Sequence, residues 1–356
     1  MNWRILGMIK SKKKKNLTIT QQNLEESREE ILAKGKKFRY PFQYAKHRLV
    51  IITILISLVA VITFCIVGWV QLYKAQNTSD VMYRFTKALG LSVGKVDGVS
   101  VRYSDYLMLY RSSIKSIERQ QGTLDDSEDS QLLKSYYKRQ ALNNAEEYSY
   151  AMAKLEALGK AVTEAEIDTV INEHKTIDGE VRSDDAFSGI VRSNFGLDMN
   201  EYRHMIKLSL AKRNYSAEID SRANSLVESI VEDLKTTKDL KALGEKYKNN
   251  DIMEFESLSE LVDSDNLDSG RAAAAYALKE VGDVSSAFIS KNGDGFYFVK
   301  LTAREGDRVQ YDSIWVRFTE FDKVMNKIRA DNKVEEYITV EGGAEIEEES
   351  QPSNEK

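Results

Sequence analysis

Residues 49–70 read LVIITILISLVAVITFCIVGWV, twenty-two residues without a charge or a proline. As a helix this run rises about 33 Å, enough to cross a hydrocarbon core of about 30 Å. Its flanks suit a membrane span. Lys46, His47 and Arg48 stand on one side, and Trp69 and Tyr73 on the other, where amphipathic rings prefer the interface. A buried core helix is the alternative, but core runs of this length normally carry a charge. A cleaved signal peptide fits less well, because the preceding region has 48 residues and Gly68-Trp69-Val70-Gln71-Leu72 lacks a small-x-small cleavage pattern. Ile62-Thr63-Phe64 before Cys65 is not a lipobox, so the thiol reads as an apolar side chain facing lipid.

Charge sets the expected orientation. The net charge of −5 conceals an asymmetry: residues 1–48 hold 13 Lys and Arg against four Glu, whereas the remainder holds 38 basic against 52 acidic residues. The cluster Lys12 to Lys15, with Lys34, Lys36, Lys37 and Arg39, is expected to stay in the cytoplasm and the acidic body to lie outside. The lysine run reads as a topology signal, and nucleic acid is not an expected partner.

Several function classes drop out. A single cysteine excludes a disulfide scaffold, and three widely separated histidines, His47, His174 and His204, argue against a metal centre. The sequence has no dinucleotide or P-loop glycine motif, no HExxH and no GxSxG, so no cofactor, metal or catalytic residue is assigned. The only prolines, Pro41 and Pro352, are set outside the folded region, and the rest reads as mainly helical.

Beyond the span, a juxtamembrane helix is predicted over 81–91. A hairpin follows around Asp97-Gly98, then a helix opened by Ser104 and running to about Gln121. A long helix over 130–158 is marked by Leu133, Tyr137, Ala141, Ala145, Tyr148, Met152 and Leu155, and Gly159 ends it. Thr163 and Glu166 form a capping box, Ser183 caps a short helix, and Asp198 with Glu201 start another running to about Arg213. Residues 221–234 carry an amphipathic stripe, 238–247 continue helically, and 249–268 read as an acidic irregular stretch. Ser269 is expected to cap an alanine-rich helix. Strands are predicted over 287–290, 296–301 and 309–318, the last two pairing antiparallel, and Thr319 is expected to cap a final helix. That helix is expected to cover the sheet with Phe321, Val324, Met325 and Ile328.

This order of elements resembles membrane-anchored extracytoplasmic foldases of the SurA, PrsA and PpiD type. The resemblance rests on Val96-Asp97-Gly98 followed by Ser104-Asp105-Tyr106, on residues 157–166, and on Phe195-Gly-Leu-Asp-Met-Asn-Glu-Tyr202. It also rests on residues 277–285 and on Gly295-Phe-Tyr-Phe-Val-Lys-Leu301, and spans roughly 93–303. It implies a mainly α chain with a small α+β domain: a single N-terminal transmembrane helix, a helical peptide-binding module and a parvulin-like antiparallel sheet with helices. The expected domains are a basic arm 1–48, a span 49–70, a juxtamembrane helix 71–92, a helical chaperone module 93–219, a degenerate parvulin-like domain 220–340 that includes the last strand and helix, and an acidic tail 341–356. Active parvulins carry histidines on the sheet around an apolar proline pocket. Here no histidine follows His204, Tyr297 stands where the last strand often has one, and no first strand is found after Arg213.

The resemblance implies a tethered holdase for unfolded exported chains with weak or absent prolyl isomerase activity. An active prolyl cis-trans isomerase, or an adaptor for one specific partner, are the alternatives. The expected partners are unfolded polypeptides, and the lipid bilayer through residues 49–70. The expected client-binding residues are the tyrosines concentrated in the helical module, Tyr103, Tyr106, Tyr110, Tyr136, Tyr137, Tyr148 and Tyr202, with Tyr150 beside them. Tyrosine offers large contact area at low entropic cost.

Overall fold

The computed structural model describes residues 21–177 and 179–340, in two compact units, Met1–Gln71 and Leu72–Lys356. The Lys12 to Lys15 cluster and the acidic tail 341–356 lie outside the described residues. The first unit is carried by α1 (Gln21–Trp69), which runs on through Pro41, a residue the sequence reading sets outside the folded part. Arg48–Lys74 is long and apolar enough to cross a membrane, with a mean hydropathy of 3.1 and none of its most apolar stretch buried. A π-helical turn, Val70–Lys74, closes it.

The second unit begins with α2 (Asp80–Leu89) and a hairpin of β1 (Ser92–Val96) and β2 (Val99–Arg102). Asp97 and Gly98 both take positive φ at its tip, as a tight two-residue turn demands. Next come α3 (Tyr103–Gln121), α4 (Glu128–Ala157), α5 (Glu164–Lys175), the short pair β3 (Thr176–Ile177) and β4 (Glu180–Val181), α6 (Asp184–Phe195) and α7 (Met199–Ile219). Both expected capping boxes, Thr163 with Glu166 and Asp198 with Glu201, are formed. Ser104 is no cap: α3 starts one residue earlier, directly from β2, and Ser104 is buried inside its first turn.

The chain then enters a smaller α+β body. Its elements are α8 (Ser221–Leu234), α9 (Leu240–Tyr247), β5 (Met253–Ser257), β6 (Val262–Asp263), α10 (Arg271–Ala277), β7 (Phe288–Ile289), β8 (Gly295–Glu305) and β9 (Arg308–Arg317). The sheet order is β5-β9-β8-β7, with β6 also on β9 and every pairing antiparallel. The expected pairing of 309–318 with 296–301 is present, and β9 takes a central place. One sheet face packs Phe298, Ile314 and Val316 on α8 and α9; the other packs Val299, Leu301, Val309 and Tyr311 on α10. The stretch read as irregular contains β5, and the cap of α10 is the Asp268 carboxylate, which accepts from Ala272 N–H, with Gly270 rather than Ser269 at the cap position.

The final segment corrects the expected domain layout. α11 (Glu320–Ala330) and β10 (Val334–Glu336) leave the sheet and return to the helical module. β10 pairs antiparallel with β1. Phe321, Met325, Ile328, Ile338 and Val340 are buried in the same core as α3, α4 and α7. The apolar face of α11 therefore does not cover the sheet. Gly94 permits the close approach of the returning strand, since a Cβ there would lie 2.5 Å from the Glu335 carbonyl oxygen. The ends of the small body are held by one buried carboxylate. Asp220 accepts from Ala223 N–H at the start of α8, and from Thr319 N–H and Glu320 N–H at the start of α11. It performs the capping expected of the Thr319 hydroxyl.

Candidate functional site

The two bodies of the second unit leave a cleft between α5 and α7 on one side and β7 on the other. One hollow in it has a volume of about 530 Å³, within the range of ligand sites. The apolar part of its wall comes from Val170 on α5, Met205 and Ile206 on α7, and Phe288 and Ile289 on β7. These residues reach one place because the lining positions on α5 and α7 recur three and four apart, on one face of each helix, while β7 is the edge strand of the sheet. Val170, Met205, Phe288 and Ile289 are only half-buried, so apolar surface stays open to solvent.

Charges frame this surface. Lys291 Nζ meets a Glu173 carboxylate oxygen at 3.0 Å, linking the β7–β8 turn to α5. Two neighbouring hollows, of about 310 and 750 Å³, meet the first at Arg213. Burial draws the Arg213 guanidinium below its ordinary pKa, against the opposite pull of Glu166 and Glu173. Gly293 lies against the Arg213 side chain, where an added Cβ would sit 3.2 Å from Cβ and Cγ of the arginine.

The seven expected tyrosines do not form one surface. Tyr148 and Tyr202 line the cleft. Tyr202 is itself buried, its hydroxyl 2.8 Å from His174 Nδ1, and burial pushes its pKa up to about 12. Tyr103 and Tyr106 have 0% exposure and belong to the core; Tyr103 meets Tyr73 and Tyr106 edge to face, and Tyr106 stacks on Tyr110. The Tyr103 hydroxyl donates to the Leu72 carbonyl at 2.7 Å. Rings with no exposed area offer nothing to a client, so the surface role expected of these two fails on burial. Tyr110 is buried at the rim of a separate hollow, and Tyr137 packs half-buried on the core. Tyr136 is 43% exposed on α4, away from the cleft lining. Tyr150 is buried against Tyr215.

The residues that sequence reasoning missed are Val170, Met205, Phe288, Ile289 and Arg213. Their signal was an excess of apolar positions on α5 and α7 beyond what one core stripe needs, but only the fold brings α7 opposite β7.

A second cluster lies on the sheet face that carries Tyr297. Tyr297 stacks on Trp315 at 6.0 Å between centroids, and the Arg271 guanidinium sits 5.3 Å and 5.8 Å from the Tyr297 and Tyr311 ring centres. The Tyr311 hydroxyl donates to Asp268 at 2.6 Å, and Arg271 pairs with Glu256. Among the described residues no group of His, Cys, Asp and Glu could hold a metal ion.

A family model described as a SurA-like N-terminal domain matches residues 42–216. The match takes in the whole of Arg48–Lys74 and the helical module into α7, and stops short of the five-stranded sheet. It supports a chaperone-type, polypeptide-binding role for the module. No curated protein matches the chain.

Proposed function

We propose that the chain is a membrane-tethered extracytoplasmic holdase that shields apolar segments of unfolded exported polypeptides in the cleft between α5, α7 and β7. The observation that carries this reading is the open apolar lining contributed by Val170, Met205, Phe288 and Ile289. Clients that share no sequence require a surface that is apolar, accessible and adaptable, and a methionine beside short aliphatic side chains meets that need. The SurA-like match over 42–216 agrees with it. Arg48–Lys74 is the tether, with the basic arm on the cytoplasmic side and the body outside. In this reading residues 72–219 with 319–340 are the chaperone module, and 220–318 are a parvulin-like insert.

The insert works as a wall of the cleft and not as an efficient isomerase. Tyr297 replaces a sheet histidine, and Arg271 lies over the rings of Tyr297 and Tyr311 where a proline ring would need an open apolar floor. A proline-limited refolding reaction, whose slow step takes tens to hundreds of seconds unaided, should keep its slow phase when the body is added. Acceleration to the rate given by an active parvulin would overturn this part.

The holdase reading is tested with the body Leu72–Lys356 and chemically unfolded clients of unrelated sequence, followed by light scattering. Equimolar body should suppress aggregation of each without ATP, and Met205→Ser combined with Phe288→Ser should remove most of the effect while leaving the melting transition in place. Suppression of one client alone would favour the adaptor, and none at all would sink the reading. Protease added to intact spheroplasts should digest the body; full protection would reverse the orientation.

A further inference from the structure

Away from the cleft, α3 and α4 enclose a hollow of about 510 Å³ near the start of the second unit. Four basic side chains line it, Arg111 and Lys115 from α3 and Lys134 and Lys138 from α4, against one carboxylate, Glu118. Two of the four are already answered. Arg111 pairs with Asp80, and Lys134 Nζ donates to the Asp125 carbonyl at 2.9 Å. Lys115 and Lys138 have no hydrogen-bond or ion-pair partner among the described residues, although Lys138 is half-buried. Burial, and then the charge of Lys134, draw the Lys138 ammonium below its usual pKa. A half-buried cation beside another cation is costly unless an anion joins it.

Thr78 and Gly196 complete the lining together with three larger side chains, Tyr110, Ile114 and Phe195. A polar, mainly cationic hollow with Ile114 and Phe195 at its side suits a headgroup that carries both an anion and adjoining carbons better than a free ion. The location points the same way. Thr78 lines the hollow, and the apolar helix ends at Lys74, so three residues lie between them, and four steps of extended chain reach at most about 14 Å.

We propose that this hollow binds the phosphate of an anionic phospholipid headgroup, with Lys115 and Lys138 as its cationic ligands and Ile114 and Phe195 against the adjoining glycerol and acyl carbons. Such a contact holds the body at the membrane surface and is favoured by negative lipid charge. The proposal rests on the reading of Arg48–Lys74 as a membrane span.

The test uses the full chain reconstituted into lipid nanodiscs of phosphatidylcholine alone or with a third of phosphatidylglycerol, and a neutral amine-reactive reagent read by mass spectrometry. Amine reactivity follows the deprotonated fraction, so a headgroup that raises a lysine pKa by about half a unit slows labelling about threefold. Lys115 and Lys138 should be slowed by at least that factor in the anionic discs, while Lys87, exposed on the neighbouring α2, should not. Lys138→Gln should abolish the protection of Lys115, and Lys138→Arg should keep it. Equal labelling in both discs, or equal slowing of Lys87, would overturn the proposal. Millimolar inorganic phosphate reproducing the protection in phosphatidylcholine discs would overturn the lipid assignment in favour of soluble phosphate. Failure of the chain to enter discs of either composition would overturn the span and the headgroup site together.

Discussion

Single side chains decide how this molecule responds to pH. Glu146 on α4 is buried beside the returning C-terminal segment, and its Oε1 has no hydrogen-bond partner among the described residues. Its neighbour Glu147 pairs with two cations, Lys212 at 2.6 Å and Arg329 at 3.0 Å. Burial, with a smaller contribution from Glu336, pushes the Glu146 carboxyl up to about 8 from an ordinary 4.5, against Arg329 and Arg139. The folded chain therefore holds a proton that the unfolded chain releases. Stability is unaffected below about pH 4.5, falls as pH rises towards 8, and falls no further above it. Glu146→Gln removes this dependence. The variant body should match the parent in acid and exceed it by up to about 5 kcal/mol at the alkaline end of that window. Thermal melts across the range check it, and parallel curves for parent and variant would show that Glu146 titrates normally. The tyrosines teach a related lesson. Tyr103, Tyr106 and Tyr136 are the same residue type on neighbouring helices, yet two are core and one is exposed. Composition reveals that tyrosines are concentrated here, whereas the side on which each one packs depends on which helix lies opposite.

At the scale of elements, what could be read in advance was what is encoded locally. The Thr163–Glu166 and Asp198–Glu201 boxes, the Asp97-Gly98 turn and the β8–β9 hairpin each depend on residues a few positions apart, and each is present. β5 is hard to read in the sequence because Glu254 and Glu256 alternate with Met253 and Phe255, a period-two pattern masked by its acidic setting. The destination of α11 was illegible for a different reason. Phe321, Val324, Met325 and Ile328 announce an amphipathic helix, but a stripe does not say which core it enters. Two cores were within reach, and the pairing of β10 with β1, more than 230 residues apart in sequence, decides between them. This changes the expected effect of truncation. Deleting residues 319–356 removes five buried apolar side chains from the helical core, at roughly 1.5–3 kcal/mol each. The loss, about 7–15 kcal/mol, matches the whole net stability of a typical domain of about 5–15 kcal/mol. The helical module should then lose cooperative melting while the sheet body, whose own cores lie in α8 to β9, keeps its protected amides. Hydrogen exchange resolves the two. A truncated chain whose α3, α4 and α7 amides stay protected would show that the returning segment is an accessory.

For the molecule as a whole, the chain path implies an insertion. α7 and α11 belong to one core and touch through Tyr215 and Phe321, whose rings meet edge to face at 6.1 Å, while everything between them forms a body with its own cores. The entry and exit of that body are fastened together by the Asp220 carboxylate, which caps α8 and α11 at once. Ends held this close allow a segment to be removed without straining what remains. Replacing residues 221–318 by a short Gly–Ser linker leaves Asp220 as the cap of α11 and leaves the helical core complete, including Phe321, Met325, Ile328, Ile338 and Val340. It removes Phe288, Ile289 and Lys291, one full wall of the cleft. The shortened body should therefore melt cooperatively with a helical circular dichroism spectrum, and lose most of its capacity to suppress client aggregation. The two readouts separate two claims. A shortened body that fails to fold would mean that the helical core depends on the insert, contrary to the division of cores. A folded one that protects clients as well as the parent would mean that the holding surface lies on the helices alone, and that β7 is not part of it.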